Sequence, residues 1–335
     1  MATIIEVARL AGVSKSTAAR ALSGDPHVSE DSRTRVKAAA ESLGYTVNRM
    51  ASALRGGRSR LIGLVVTNLV NASVLKIIEV MEARAQEEGY VVLLGVTEGR
   101  PDREAAVVNA LTRHGIDGLV IMQSGANTAS IDALFDKGLA VVNLIRLPAA
   151  SHPPAVLADN CEGTRCATRH LLDAGHSRIA YVGGLPETTT GAERFEGFRM
   201  ALGERGLSPL PALVRRGPFL PHFGVEACRA LLPLRDSFSA ILVTNHEALF
   251  GVLSVLIEER IEIPHSLSLV GFEDVNWFRD WHPALTVVDV DPAAMAEAAF
   301  ELLLGQINRA GGELPPITRK PTHLLLRGST AAPRP

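Results

Sequence analysis

The sequence predicts a small all-α head followed by an α/β core that contains two parallel sheets. The chain has 335 residues, more than one average core requires, since domains typically hold about 150 residues. The first 45 residues carry helical periodicity, whereas from Leu61 onward short apolar runs alternate with helical stretches. Continuous apolar strands separated by helices are typical of parallel sheets that are covered on both faces.

Residues 3–22 predict two short helices joined by a tight turn at Gly12. Their apolar residues recur at helical spacing and can pack against one another: Ile4, Val7, Ala8 and Ala11 in the first segment, Val13, Ala18 and Leu22 in the second. Thr3 and Glu6 form the T-x-x-E pattern of a capping box. We interpret this stretch as a helix-turn-helix, although the pattern alone leaves open an ordinary helical hairpin at a domain edge.

A third helix is expected to begin after Ser29, an N-cap residue, and to stop at Gly44. The head is also basic: residues 1–60 hold ten Lys or Arg against five acidic residues, whereas the remainder holds 24 basic and 31 acidic residues. This distribution confines any affinity for a polyanion to the head, even though the net charge of the chain is -2.

Four stretches of the head carry a resemblance to a known family. They are A-R-L-A-G-V-S-K-S-T at 8–17, H-V-S at 27–29, L-G-Y at 43–45 and N-R-M-A-S-A-L at 48–54. Together they resemble the lactose/galactose repressor (LacI/GalR) family of bacterial transcription regulators, and the likeness runs from Thr3 to about Thr330. The resemblance implies a helix-turn-helix DNA-binding head, a hinge and a periplasmic-binding-protein-like core of two doubly wound parallel-sheet subdomains.

The resemblance implies that the second helix of the head reads operator DNA in the major groove. Lys15 and Ser16 match the positions that read bases, and Arg20 follows one turn later. Long polar side chains on an outward helix face are what base edges require. The positions matching phosphate contacts, which orient the protein without specifying sequence, are Thr3, Ser14, Thr17, His27, Ser29 and Asn48.

The basic, glycine-punctuated segment 48–60 is expected to be a hinge and linker. Its helical part is about eight residues long, too short to be stable alone in water, so it should order only against a partner. In the resembled family this hinge helix forms on DNA, and Leu54 matches the leucine that wedges a base step in the minor groove. A leucine that packs between domains is the alternative, and Val47 stands where the family usually has proline.

The core runs that we predict as strands alternate with helical stretches: residues 61–67, 91–96, 118–122, 140–144, 179–184, 240–245, 267–272 and 285–290, with a last strand in 323–330. The resulting division of the chain is a helix-turn-helix domain, 1–47; a hinge, 48–60; and an effector-binding and dimerisation core, 61–330. Within the core, subdomain 1 is expected at about 61–160 plus 291–321 and subdomain 2 at about 161–290 plus 322–330.

The effector is expected in the cleft between the subdomains, where strands end. Asn245 and Asp274 end predicted strands, and ligands of open α/β sheets bind at the carboxyl ends of strands. E-R-F-E-G-F at 193–198 matches the family segment whose arginine, here Arg194, reaches the cleft; Phe219 aligns with an aromatic that packs on a flat ligand face. Arginine, amide and carboxylate together can bind the hydroxyls of a sugar. The alternatives are a loop ion pair for Arg194 and Asp274 and core packing for Phe219.

The first wall of this cleft departs from the family. Ile145 replaces the acidic residue before Arg146, Asn245 is followed by His246 rather than aspartate, and A-S-V follows Asn71 where the family has P-F-F. Asn71, Ser73 and Arg146 are therefore weaker effector-binding candidates, and Trp277 and Trp281 are expected near its rim. We expect a sugar or sugar derivative as effector, with a purine-like co-repressor as the alternative.

Other classes of protein fit less well. No G-x-G-x-x-G follows the first strand, and neither a Walker loop nor a G-x-S-x-G elbow occurs, so we expect no enzyme, no cofactor and no metal. An excreted sugar-binding protein would carry a leader and have no use for the basic head, so we expect a cytoplasmic protein. The possibility of a DNA-binding protein that needs no ligand stays open. The expected partners are a pseudo-palindromic double-stranded DNA operator, a carbohydrate-like small molecule and a second copy of the chain in a homodimer, with no membrane.

Overall fold

The computed structural model describes residues 2–22, 25, 27–45, 58–308 and 315–334. The chain divides into two compact units, 1–59 and 60–335. Within the described ranges no helix is both long and apolar enough to cross a bilayer.

The head contains three helices in its described part, α1 (Ile4–Leu10), α2 (Lys15–Leu22) and α3 (Glu30–Ser42). The three helices pack against one another through fully buried small and branched side chains, among them Val7, Ala18 and Val36. Gly12 adopts a φ of +66° in the turn between α1 and α2, a conformation that glycine accepts without strain. The predicted helix-turn-helix is confirmed.

The capping residues explain where the helices of the head begin. The Thr3 amide donates to Glu6 Oε2 at 2.7 Å, and the Glu6 amide donates to Thr3 Oγ1 at 3.4 Å, which completes the predicted capping box. The Thr17 amide donates to Ser14 Oγ at 3.0 Å at the start of α2. Ser29 caps α3, which ends at Ser42, just before Leu43 and Gly44.

The second unit contains the remaining helices and the strands. Helices α4 to α12 are Ala72–Glu87, Pro101–Arg113, Thr128–Asp136, Asn160–Asp173, Thr189–Gly203, Pro221–Leu231, His246–Glu258, Asn276–Asp280 and Pro292–Ile307. Strands β1 to β12 are Leu61–Val66, Val91–Val96, Gly118–Ile121, Ala140–Leu144, Ala155–Ala158, Ile179–Gly183, Val214–Arg216, Ala240–Val243, Ser268–Phe272, Thr286–Asp289, Ile317–Lys320 and His323–Leu325.

The strands form two sheets, as the apolar runs predicted. The first has the order β11-β5-β4-β3-β1-β2 and is parallel throughout; the second has the order β12-β10-β9-β8-β6-β7 and is parallel except where β12 pairs antiparallel with β10. The central strands are buried along their whole length because helices cover both faces. The chain passes between the sheets after β5, after β10 and between β11 and β12, so three connecting segments join them.

A buried histidine ties the end of the chain to the second sheet and predicts a pH dependence. His176 Nδ1 lies 2.7 Å from Ser239 Oγ, and its Nε2 lies 2.8 Å from the Ala331 carbonyl oxygen. Burial lowers the pKa of His176, although its bond to Ala331 partly opposes this shift. With a histidine pKa of about 6.5, the unfolded chain binds this proton more readily than the folded chain does. The contribution of His176 to the free energy of unfolding is therefore present above about pH 6.5 and is lost as the pH falls below it.

We therefore expect the free energy of unfolding to fall as the pH drops below about 6.5. Urea unfolding at half-unit pH intervals measures this fall. The slope should be shallower in His176→Gln, since that variant cannot bind the proton, while His170, whose pKa burial also lowers, is present in both proteins. Identical slopes for the two proteins would contradict the assignment to His176.

Candidate functional site

A cavity of about 80 Å³ lies between the carboxyl ends of the two sheets. By the volume that a buried water occupies, it has room for several water molecules or a compact ligand. Its lining comes from both sheets: Thr67, Asn68, Asn71, Ser73, Val74, Ile77, Met122, Ile145, Arg146, Ala158, Asn160, Thr190, Arg194, Phe219, Asn245, Glu247, Glu273, Val290, Pro292 and Met295. A wider recess of about 550 Å³ shares part of this lining and opens the cavity outward.

The lining residues lie where the fold places ligands. Thr67 follows β1, Ile145 and Arg146 follow β4, and Asn245 and Glu273 lie just beyond β8 and β9. The carboxyl ends of parallel strands meet at one edge of each sheet, and the two edges face each other across the cavity. A ligand held here therefore contacts both halves of the core.

Arg194, from α8, is the best-connected side chain of the cavity. Arg194 is only 3% exposed. Its Nε donates to Asn160 Oδ1 at 2.8 Å, and its Nη1 donates to the Thr244 carbonyl oxygen at 2.6 Å. Its Nη2 lies 3.4 Å from Glu273 Oε1. The guanidinium also lies over the ring of Phe272, 3.9 Å from the centroid. These contacts hold its charge at the wall of the cavity.

Glu273 and His246 extend this network behind the cavity wall. Glu273 Oε2 and His246 Nδ1 form a hydrogen bond, and both residues are buried. Burial alone would raise the pKa of Glu273, but the charges of His246 and Arg194 lower it overall. Burial alone would lower the pKa of His246, but the Glu273 carboxylate raises it overall. The shifts thus favour the carboxylate form of Glu273 and the imidazolium form of His246, with Glu273 placed between His246 and the Arg194 guanidinium.

Asp274, which was predicted to bind the effector, is not among the residues that line the cavity. Its carboxylate accepts from Arg327 Nη2 at 2.8 Å and from Arg279 Nη2 at 2.8 Å, and so joins α11 to the last segment of the chain. The preceding residue, Glu273, adopts a φ of +72° directly after β9, and it is Glu273 that lines the cavity. Neighbouring residues beyond a strand end point in different directions, so a displacement by one position exchanges a cavity-lining side chain for a structural ion pair.

The other predicted effector residues lie together at the cavity: Asn71, Ser73, Arg146, Arg194, Phe219 and Asn245. Two of them also have structural roles. Asn71 Oδ1 accepts from the Val74 amide at 3.0 Å and caps α4, and Asn245 Oδ1 accepts from the Glu247 amide at 3.0 Å and caps α10. Their contact with a ligand stays a prediction.

Neither tryptophan lines the cavity itself. Trp277 stacks on Phe250 with ring centroids 4.5 Å apart and lines a surface groove that shares Ser73 and Pro292 with the cavity. Trp281 packs against the apolar core of the second sheet and lines a further recess with Pro283.

In the head, Lys15, Ser16 and Arg20 are exposed on α2. The hydroxyls of the predicted phosphate contacts take part in local hydrogen bonds: Thr3 with Glu6, Ser14 with Ser16 and Thr17, and Ser29 with Ser32. His27 is exposed and its Nδ1 lies 3.0 Å from Asp25 Oδ1. Asn48 and Leu54, together with the rest of 46–57, lie outside the described residues.

Comparison with known proteins decides the family. The model of bacterial regulatory proteins of the lacI family matches residues 3–48, and the model of the periplasmic binding protein-like domain matches residues 168–330. The transcriptional regulator GalR of Escherichia coli K12 is 32% identical over 335 residues, which cover 99% of this chain and 97% of that protein. The chain belongs to the lacI family.

Two further proteins are similar to this lacI-family chain over most of its length. The transcriptional repressor PurR of Mannheimia succiniciproducens is 29% identical over 310 residues, 92% of each chain. The solved structure of a CelR–cellobiose complex has a TM-score of 0.74 and 27% sequence identity, and covers 98% of this chain and 100% of that one. The likeness to these proteins thus covers between 92% and 99% of this chain.

Sequence reasoning missed several polar residues of the lacI-family cleft: Thr67, Asn68, Asn160, Thr190, Glu247 and Glu273. Glu273 could have been found beside Asp274, since both follow the same strand. Asn160 follows β5, a four-residue strand that was not predicted, so the position of Asn160 at a strand end was hidden. Thr190 lies in the first turn of α8, where a threonine ordinarily indicates only a helix start.

Proposed function

We propose that this lacI-family chain is a homodimeric, sequence-specific transcription repressor whose operator affinity is set by a small molecule bound in the cleft. The observation that carries the proposal is the combination, in one chain, of an exposed recognition helix and a buried polar cavity between two sheets. A ligand-independent DNA-binding protein would have no need of a cavity lined by Arg194, Asn160 and Glu273.

The recognition helix supports the DNA-binding part of the proposal. Lys15, Ser16 and Arg20 would read base edges in the major groove, while Thr3, Ser14, Thr17, His27 and Ser29 would contact phosphates. We assign residues 48–60 to a hinge that carries Asn48 and the minor-groove leucine Leu54. A dimer of such heads reads two half-sites, so the operator is a pseudo-palindrome.

The cleft supports control by a polyhydroxylated ligand. Arg194 and Asn245 offer donors, Glu273 offers acceptors, and Phe219 offers a flat apolar face, a set that suits a sugar. The likeness to a regulator complexed with cellobiose favours the same class. The likeness to PurR proteins keeps a purine-like co-repressor as the second candidate, because Phe219 could also stack on a base.

Control of DNA binding follows from where the cavity lies. A ligand that bridges both halves of the core binds one relative arrangement of them more tightly than another, and three backbone passages transmit that preference. The ligand shifts operator affinity by its difference in affinity for the two arrangements. Since such a protein acts on the chromosome, we infer that it works in the cytoplasm, and since its relatives are regulators, that it is not an enzyme.

Selection of the purified full chain on a random duplex library, at near-physiological salt, tests the DNA-binding part. The expected result is an enriched pseudo-palindrome with two half-sites. A folded protein that enriches no sequence, with or without a sugar and purine mixture, would contradict the proposed function.

A further inference from the structure

Arg146 differs from the other charged groups of the cleft. It follows β4 and lines both the inner cavity and the outer recess. Its backbone amide donates to the Leu144 carbonyl, but its guanidinium has neither a hydrogen-bond nor an ion-pair partner among residues 2–22, 25, 27–45, 58–308 and 315–334. Arg194, by contrast, has Asn160, Thr244 and Glu273 as partners.

The surroundings of Arg146 do not favour its charge. Burial and the nearby charge of Arg194 lower the pKa of Arg146, and the more distant charges of Glu104 and Glu273 only partly oppose this shift. Arg146 is half-buried, so its guanidinium has lost part of its hydration without gaining a hydrogen-bonded counter-charge from the described residues. Such an arrangement is typical of a binding site, where the ligand supplies the missing partner.

The carboxylates of the neighbourhood are engaged elsewhere. Glu273 pairs with His246 and Arg194. Glu104 accepts from the Ser124 amide at 2.6 Å and from Asn127 Nδ2 at 3.0 Å. Glu247 lies 3.6 Å from His246, and burial raises its pKa, which disfavours its charged form. None of these three carboxylates pairs with Arg146, which leaves its guanidinium available to an anion from outside the chain.

A second polar group of the same cavity points to a ligand independently. Thr190 is only 2% exposed, and its Oγ1 is buried with no hydrogen-bond partner in the part of the chain that the structure describes. It lies in the first turn of α8, where the helix dipole favours negative charge. Buried hydroxyls nearly always find a partner, so a ligand atom is the natural one.

We propose that the effector of this protein carries an anionic group, a carboxylate or a phosphate, that binds Arg146. The sugar hydroxyls of the same molecule face Arg194, Asn245 and Glu273, and Thr190 Oγ1 donates to a ligand oxygen. This inference rests on the proposed function, since it names the chemical class of ligand for the same cleft.

Matched neutral and anionic probes test the inference in the full chain. The panel contains glucose, gluconate and glucose 6-phosphate; galactose, galacturonate and galactose 6-phosphate; ribose and ribose 5-phosphate; and adenosine and AMP. Affinities are measured by calorimetric titration after a thermal-shift screen. At least one anionic member is expected to bind about tenfold to hundredfold more tightly than its neutral partner, the range of one charge-assisted hydrogen bond.

Variants assign that preference to one side chain. Arg146→Gln should remove the tenfold to hundredfold advantage of the anionic member, and Arg146→Lys should keep part of it. Arg199→Gln removes the same charge from an exposed position on α8 and should leave the preference unchanged. The ligand-free Arg146→Gln protein should unfold at the wild-type temperature or above it, since no bond to the chain is lost.

The outcomes separate this inference from the function on which it rests. A neutral sugar or nucleoside that binds as tightly as its anionic partner, with no effect of Arg146→Gln, overturns the inference and leaves the regulator standing. A lower unfolding temperature of ligand-free Arg146→Gln also overturns it, because Arg146 then has a structural partner. Binding of no panel member overturns both the sugar-responsive function and the inference.

Discussion

Arg194→Met is expected to lower the free energy of unfolding by about 3 kcal/mol, the lower end of the cost of breaking a buried ion pair. The substitution keeps the apolar stem but removes the partners of Asn160 and of the Thr244 carbonyl. The Glu273 carboxylate keeps His246 and a longer hydrogen bond from Asn245 Nδ2 at 3.5 Å, which is why the loss lies at the lower end. Urea unfolding at pH 7 measures the change, and ligand binding should be lost in the same variant.

Arg199→Met is the matched control for Arg194→Met. Arg199 lies on the same helix, is exposed and pairs with Glu196 one turn away, so its loss should change stability by no more than about 0.5 kcal/mol. Equal stability of the Arg194 variant and the wild type would show that the guanidinium is not the centre of a buried network.

Arg20→Ala is expected to reduce the preference for one base pair over the others at one position of each operator half-site. A good bidentate contact to guanine discriminates by about 1–3 kcal/mol, so the ratio between the preferred and the substituted base pair should fall by roughly tenfold to a hundredfold. Binding to the selected duplex and to its single-base-pair variants, measured at two salt concentrations, gives this ratio.

Arg35→Ala provides the comparison for Arg20→Ala. Arg35 carries the same charge in the same head but lies on α3, where it pairs with Asp31. Its loss should weaken binding to all duplexes by a similar, small factor, since a distant positive charge acts on every sequence alike. Uniform weakening of all duplexes by both variants would show that Arg20 contacts phosphate only.

The head was predictable because its signals are local. Thr3 and Glu6 fix the start of α1, Gly12 allows the turn, and Val7 and Ala18 mark the faces that meet, all within a few residues of one another. The core strands with continuous apolar runs were equally visible. Strands β5, β7 and β11 were not predicted: they have only three or four residues, and β7 and β11 include charged side chains that an edge position tolerates.

The cleft was predictable only in part, because its geometry depends on residues far apart in sequence. Arg194 and Asn245 were found from a family segment and a strand end. The exchange of Asp274 for Glu273 depends on a single backbone torsion after β9, which composition does not reveal. The partners of Arg194 come from positions 34, 50 and 79 residues away, so its burial could be seen only once the two sheets were in place.

Operator affinity, measured with and without a saturating cleft ligand, tests whether the cleft and the head are coupled. The ligand is the probe with the largest thermal shift, and the DNA is the selected duplex. We expect a change in operator affinity of about fivefold to 150-fold, in either direction, and an equal change in ligand affinity when DNA is bound. Operator affinity that stays the same while the cleft is saturated would contradict this coupling.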